Sequence, residues 1–192
     1  MLDTLAKVSA VLISKDDRYP SEVLQHVSSF PFGEILILTH CPSPHLKQEL
    51  FAKANFDYLF YQDDDCIAPI AELVEASKPG IINCAMKTHH IQAYAHSRIA
   101  LIGWGSIFPK SVIKVLDLYR AEYGEDFLYQ RETERIMTWF NFPQNRLDLP
   151  IRDLLSAYAA DRLSMQPNHY NFIPIVEQRC AAIEQKRLTL AT

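Results

Sequence analysis

Three observations predict an α/β fold, a three-layer α/β/α sandwich around a mostly parallel central sheet. Short runs of β-branched and apolar residues recur through the first third of the chain, amphipathic stretches separate them, and polar or acidic residues follow each run. Fully apolar strands alternating with helices specify a parallel sheet covered on both faces, with right-handed crossovers. In such sheets ligands collect at the carboxyl ends of the strands.

The first strand is VSAVLI, residues 8–13, and the polar cluster 14–20 after it reads as a loop. Ser21 can cap a helix beginning near Glu22, in which Val23, Leu24 and Val27 recur at helical spacing until Pro31 and Gly33 stop it. EILILT, residues 34–39, is the second strand. A loop through Cys41 and Pro42 leads to a helix carrying Leu46, Leu50 and Phe51, and FDYLFYQ, residues 56–62, is the third strand. Beyond it, residues 70–76 read as a helix, Pro79-Gly80 as a turn and residues 81–86 as a further strand. Residues 100–108 (ALIGWGSIF) place two glycines around a tryptophan inside an apolar, strand-like run, a pattern that marks a bulge or a close approach. Pro109 opens a helix with Val112, Val115, Leu116 and Tyr119. A second long helix spans about residues 126–140, with Phe127, Ile136 and Phe140 on one face and Arg131, Glu132 and Glu134 off it. The tail, about residues 151–192, is expected to be helical in parts and broken by Pro167 and Pro174.

The strongest chemical signal is Asp63-Asp64-Asp65, which closes the third strand. Adjacent carboxylates repel unless a cation or full solvation relieves them. Mg²⁺ or Mn²⁺ meets that need: it takes one or two carboxylates and completes its shell with water and phosphates. The competing account is a solvated acidic turn or a helix N-terminus. On a parallel sheet, residues 14–18, residues 39–40 and the three aspartates would share one rim, which favours a functional triplet.

With 192 residues, 48% hydrophobic and 11% aromatic, the chain is sized for a single domain with a real core. Its net charge of −4 comes from 19 Lys and Arg against 23 Asp and Glu, with no basic run, and this argues against nucleic acid as a partner. No stretch of about twenty apolar residues suggests a membrane span, and the N-terminus lacks a signal-peptide layout. A soluble, cytoplasmic protein is expected, and composition leaves peripheral membrane attachment open. The widely spaced Cys41, Cys66, Cys84 and Cys180 form no CxxC pair and are expected to be reduced.

The ordered set of an N-terminal strand with a polar loop, a βαβ half, Asp-x-Asp at a strand end, and Gly-Trp-Gly followed by an acidic helix resembles the GT-A glycosyltransferases over residues 7–155. The likeness is to small nucleotide-sugar transferases of the family-2 type, and the Asp triplet is also similar to the exostosin-like transferases. It implies a Rossmann-like GT-A domain over residues 1–192, and a metal-dependent hexosyltransferase that moves a sugar from a UDP- or GDP-sugar to a hydroxyl acceptor with inversion. Asp63 and Asp65 would then hold Mn²⁺ or Mg²⁺, with Asp64 facing the core or the sugar. Ser14, Lys15, Arg18 and Thr39 would hold the nucleotide, and Gly103, Trp104 and Gly105 would line the sugar and acceptor pocket. Glu134, or else Glu132, would be the base, and His169 a further metal ligand. The chain departs from the resemblance at Thr39-His40, where relatives carry an acidic residue for the nucleobase, and at Glu134, where Asp is more usual.

Each assignment has a plainer competitor: a surface charge for Arg18, a core tryptophan for Trp104, a solvated helix face for Glu132 and Glu134. His89, His90 and His96 match no common metal-binding spacing and read as loop residues near the acceptor. Two other functions compete. One is a module that binds a nucleotide-sugar without turnover. The other is an aspartate-nucleophile phosphatase, although there the motif closes the first strand rather than the third. A sugar nucleotidyltransferase would need a glycine-rich phosphate loop, and residues 14–19 contain no glycine.

Overall fold

The computed structural model describes residues 2–14, 21–41, 45–154 and 169–190. Its centre is a six-stranded sheet in the order β2-β1-β3-β6-β5-β7, built from β1 (Val8–Ile13), β2 (Glu34–Leu38), β3 (Tyr58–Asp63), β5 (Asn83–Met86), β6 (Ser106–Pro109) and β7 (Asn145–Asp148). β4 (Cys66–Ile67) and β8 (Arg152–Asp153) form a separate antiparallel pair. β1 pairs in parallel with β2 and β3, and β5 in parallel with β7. β6 lies antiparallel between β3 and β5. Its direction has a simple cause: the chain leaves β5, makes the short helix α4 (Thr88–Ala93) and a loop, and re-enters the sheet without crossing it. The segment before β6 therefore lies at the carboxyl ends of β1, β3 and β5.

Alternation along β1 feeds two cores. Val8, Ala10 and Leu12 face α1 (Ser21–Ser28) and α3 (Ile70–Ala76), packing with Val23, Val27, Ile70, Leu73 and Phe60. Val11 and Ile13 face the other way, into a cluster with Phe51 of α2 (Leu46–Lys53), Tyr119 of α5 (Leu116–Tyr123), Ile136 of α6 (Phe127–Phe140) and Val176 of α7 (Ile173–Leu190). The α/β architecture with a mostly parallel sheet is thus as expected. None of the four cysteines is in a disulfide, and Cys66, Cys84 and Cys180 are buried. Among the described residues no helix is long and apolar enough to cross a membrane.

Several elements depart from expectation. Residues 100–105 are a buried loop, and only Ser106–Pro109 is strand. The backbone of Gly103 and Gly105 is consumed in docking to neighbouring strands: Gly103 O accepts from Asp63 N at 2.7 Å and Gly105 O from Ala85 N at 2.8 Å. A 3-10 segment, Lys110–Val115, precedes α5. Pro174 does not break the tail helix but sits in its first turn, where no intrahelical N–H is required. Pro167 lies outside the described residues. The face of α6 around Glu132 is not solvated: Glu132 is 3% exposed and Arg135 5%. The helix is bent at Glu132 (φ −116°, ψ 22°), beside Thr133, whose hydroxyl donates back to Tyr129 O at 2.6 Å, a contact that bends helices.

Candidate active site

The turn that carries the aspartates is closed by a side chain that nothing in the sequence pattern singles out. Buried Gln62 donates from Nε2 to Cys66 O at 2.6 Å and accepts at Oε1 from Ala68 N at 3.1 Å, clamping residues 63–67 between its two ends. On one side of this turn, Ser14 at the end of β1 donates its hydroxyl to Asp64 Oδ2 at 2.5 Å. On the other, Leu154 N donates to Asp65 O at 2.9 Å, tying the turn to the segment after β8. Asp64 is accordingly held against β1.

Asp63 is the centre. The Gly103 backbone packs on its carboxyl group so closely that a Cβ at position 103 would stand 2.0 Å from Oδ2. Oδ1 takes a hydrogen bond from the hydroxyl of Tyr61, which sits two residues earlier on the same face of β3. That hydroxyl accepts from Lys47 Nζ at 2.5 Å and lies 3.0 Å from Glu134 Oε1, so its single proton serves one carboxylate at a time. Lys47 also pairs with Glu134 directly and stands 3.8 Å from Asp63 Oδ1. Four elements thereby converge: β3, α2, α6 and the loop before β6.

The charges do not balance. Burial pushes the Asp63 carboxyl up to about 7; Lys47 opposes that rise, while Glu134 and Asp65 add to it. Since 38% of the Asp63 side chain still faces solvent, desolvation alone has limited reach and the neighbouring carboxylates matter. Burial would depress Lys47, but Glu134 and Asp63 more than offset it and hold the ammonium above its usual value. Tyr61 is pushed well above the usual phenol value by burial and by the same two carboxylates.

A second cluster surrounds Trp104. Lys87 Nζ stands 5.3 Å from its ring centroid and His90 packs on it in a T-shaped contact at 4.4 Å. Lys87 pairs with Asp153 of β8. Trp104 is therefore half-buried with His90 and Lys87 as neighbours, not an open stacking platform. Burial, His89 and Lys87 depress the His90 imidazole below its usual value, against the pull of Asp153. His89 and His96 are exposed.

No family model matches the chain, and no curated protein matches it either.

Of the residues singled out from sequence, the fold brings Ser14, Asp63, Asp64, Asp65, Gly103, Trp104, Gly105 and Glu134 to one rim, with Thr39 half-buried just past β2. Lys15 and Arg18 lie outside the described residues. His169 opens a 3-10 turn before α7, and its side chain is not described. Glu132 requires correction: its oxygens are taken by Arg135 at 2.6 Å and Arg131 at 3.1 Å, so it braces α6 and offers no open face to a hydroxyl. Burial still raises its carboxyl above the usual value, against both arginines. Lys47 and Tyr61 escaped notice, yet a signal existed. Lys47 falls one helical turn from Phe51, on the apolar face of α2, where a lysine needs buried partners.

Among the described residues no group of three or more His, Cys, Asp or Glu side chains is arranged to hold a metal unaided. Mg²⁺ or Mn²⁺ in a phosphate site requires only one or two carboxylates. The fit is favourable on that count: Asp63 and Glu134 share one ammonium, Asp65 adds a further negative charge beside Asp63, and the open side of Asp63 is where added positive charge would settle.

Proposed function

We propose that this chain is a metal-dependent GT-A-type glycosyltransferase that moves a sugar from a nucleoside-diphosphate donor to a hydroxyl acceptor. The observation that carries the reading is the convergence on Asp63. The carboxylate ends the third strand, the glycine loop before the antiparallel strand lies against it, and α6 delivers Glu134 within reach of the tyrosyl hydroxyl they share.

Asp63 and Asp65 would hold Mn²⁺ or Mg²⁺, which when bound supplies positive charge to the leaving nucleoside diphosphate. Ser14 fixes Asp64 so that the turn presents its neighbours to the rim. Gly103 lets the loop before β6 pack directly on the Asp63 carboxylate, because a side chain there would overlap it. Glu134 meets Lys47 and Tyr61 through Oε1; Oε2 is the oxygen to receive the acceptor proton in an inverting transfer, and 23% of the side chain remains accessible.

The Lys47–Glu134 pair favours a second reading, a module that binds nucleotide-sugar without turnover, since an ammonium on a carboxylate weakens it as a base. Calorimetry with Mn²⁺ and UDP or GDP, followed by an assay for free sugar released from the corresponding donors, separates the two. The transferase reading expects metal-dependent binding that Asp65→Ala abolishes, and turnover that Glu134→Gln lowers while binding persists. Binding without release or transfer supports the module, metal-independent diphosphate binding refutes the metal-dependent transferase, and absent diphosphate binding refutes both.

A further inference from the structure

Lys47 is a buried charge at this rim that the proposed transfer does not employ. It is 6% exposed, so its ammonium cannot reach a phosphate or a sugar in the cleft. It acts through its neighbours: it pairs with Glu134, donates to Tyr61 Oη at 2.5 Å and faces Asp63 Oδ1 at 3.8 Å. Its aliphatic stem leaves α2 on the side of Phe51, which packs edge-on against Tyr61 at 5.3 Å. The ammonium therefore arrives from the protein interior, opposite the open face of Asp63.

Two carboxylates joined through one hydroxyl cannot both ionise cheaply without a cation. From this placement we infer that Lys47 is a resident counter-cation, a positioning residue that holds Asp63 and Glu134 together in the metal-free protein and opposes the divalent ion that would bind Asp63. The inference rests on the metal reading given above. An ion arriving at the open face of Asp63 replaces the attraction that Lys47 supplies from within, and the ammonium is left to Glu134 alone. Metal occupancy and the base are then linked through a single side chain. Lys47 keeps the empty site folded and holds its metal affinity down, so that the ion binds firmly only when phosphate oxygens contribute.

The test is Mn²⁺ affinity without nucleotide, measured at pH 8 by the electron paramagnetic resonance of free Mn²⁺, with melting temperatures in parallel. Lys47→Met removes the charge at similar length, and Lys47→Arg retains it. The inference expects Lys47→Met to melt lower than wild type without metal, to bind Mn²⁺ at least tenfold more tightly, and to gain more in melting temperature from saturating Mn²⁺. Lys47→Arg should bind within about threefold of wild type. If Lys47→Met does not fold, Lys47→Met/Glu134→Gln, which replaces the ion pair with neutral side chains, carries the test and should bind Mn²⁺ at least as tightly as wild type. Weaker Mn²⁺ binding by either folded variant overturns the counter-cation role and leaves Lys47 a scaffold residue. Absence of Mn²⁺ binding in wild type and variants alike defeats the metal reading itself.

Discussion

Replacing Gly103 with alanine tests the site through one methyl group. Gly103 does not occupy the left-handed region, unlike Gly80, Gly105 and Gly124, so the backbone accepts alanine and the cost is steric. The new Cβ would stand 2.0 Å from Asp63 Oδ2 and 2.8 Å from its Cγ. An ordinary carbon–oxygen approach is about 3.3 Å, and the overlap exceeds an ångström. Either the carboxylate rotates off Tyr61 and Lys47, or the loop lifts and stretches the 2.7 Å bond from Asp63 N to Gly103 O. Overpacking of this kind costs about 1–3 kcal/mol. In a chain of this size each kcal/mol lowers the melting temperature by about 2–4 °C. Displacing a charged hydrogen-bond partner costs about 1.5–3 kcal/mol, which predicts a roughly ten- to hundredfold loss of Mn²⁺-dependent UDP or GDP affinity by calorimetry. Gly80→Ala is the control: φ there is +78° and nothing lies within 4 Å of where the added methyl would stand, so it should cost about 1 kcal/mol and leave binding intact. A Gly103→Ala protein that binds like wild type and melts like Gly80→Ala would refute the reasoning, because Asp63 could not then be packed against that loop.

Other outcomes follow from the same geometry. Glu132→Gln removes the buried carboxylate charge that Arg131 and Arg135 both pair with and should lower stability by about 3 kcal/mol in chemical denaturation, with Mn²⁺-dependent nucleotide binding unchanged; a loss of binding at unchanged stability would return Glu132 to the site. Asp126 caps α6 by accepting from Tyr129 N at 2.9 Å and pairs with Arg179 of α7, so Asp126→Ala should cost about 1–2 kcal/mol in the same measurement, and a neutral result would show the cap to be dispensable. The Asp63 carboxyl is raised from 3.8 to about 7 in the folded state. Between those values the folded state holds the proton more firmly, so this group stabilises the metal-free protein below pH 4 and the contribution is lost as pH rises through 7. Mn²⁺ binds the ionised form, so its affinity should climb over the same interval and level off above pH 7. Both slopes should vanish in Asp63→Asn melts from about pH 5 to 8, and slopes that persist would assign the titration to another group.

The βαβ half was legible because its signals are local. The continuous runs VSAVLI and the apolar stretch before Asp63 describe strands whose two faces are both covered, and each formed where expected. The direction of β6 was not legible, since antiparallel insertion depends on a loop returning to the same rim, a long-range choice that short apolar runs do not encode. Glycines 103 and 105 correctly marked a close backbone approach, but the partner of Gly103 is the Asp63 carboxyl, far away in the chain. Glu132 misled for a related reason: a charge on an amphipathic helix reads as solvated until two arginines are seen to bury with it. Lys47 and Tyr61 were hidden because a strand tyrosine and a helix lysine are ordinary, and only the tertiary meeting of β3, α2 and α6 gives them charges to balance.

The most direct measurement is an anomalous difference map from crystals soaked with Mn²⁺ and UDP or GDP. The account predicts manganese about 2.2 Å from carboxylate oxygens of Asp63 and Asp65, with the diphosphate beside the Gly103 loop. A diphosphate seated elsewhere, or a rim whose aspartates carry no manganese at saturating concentration, would contradict it.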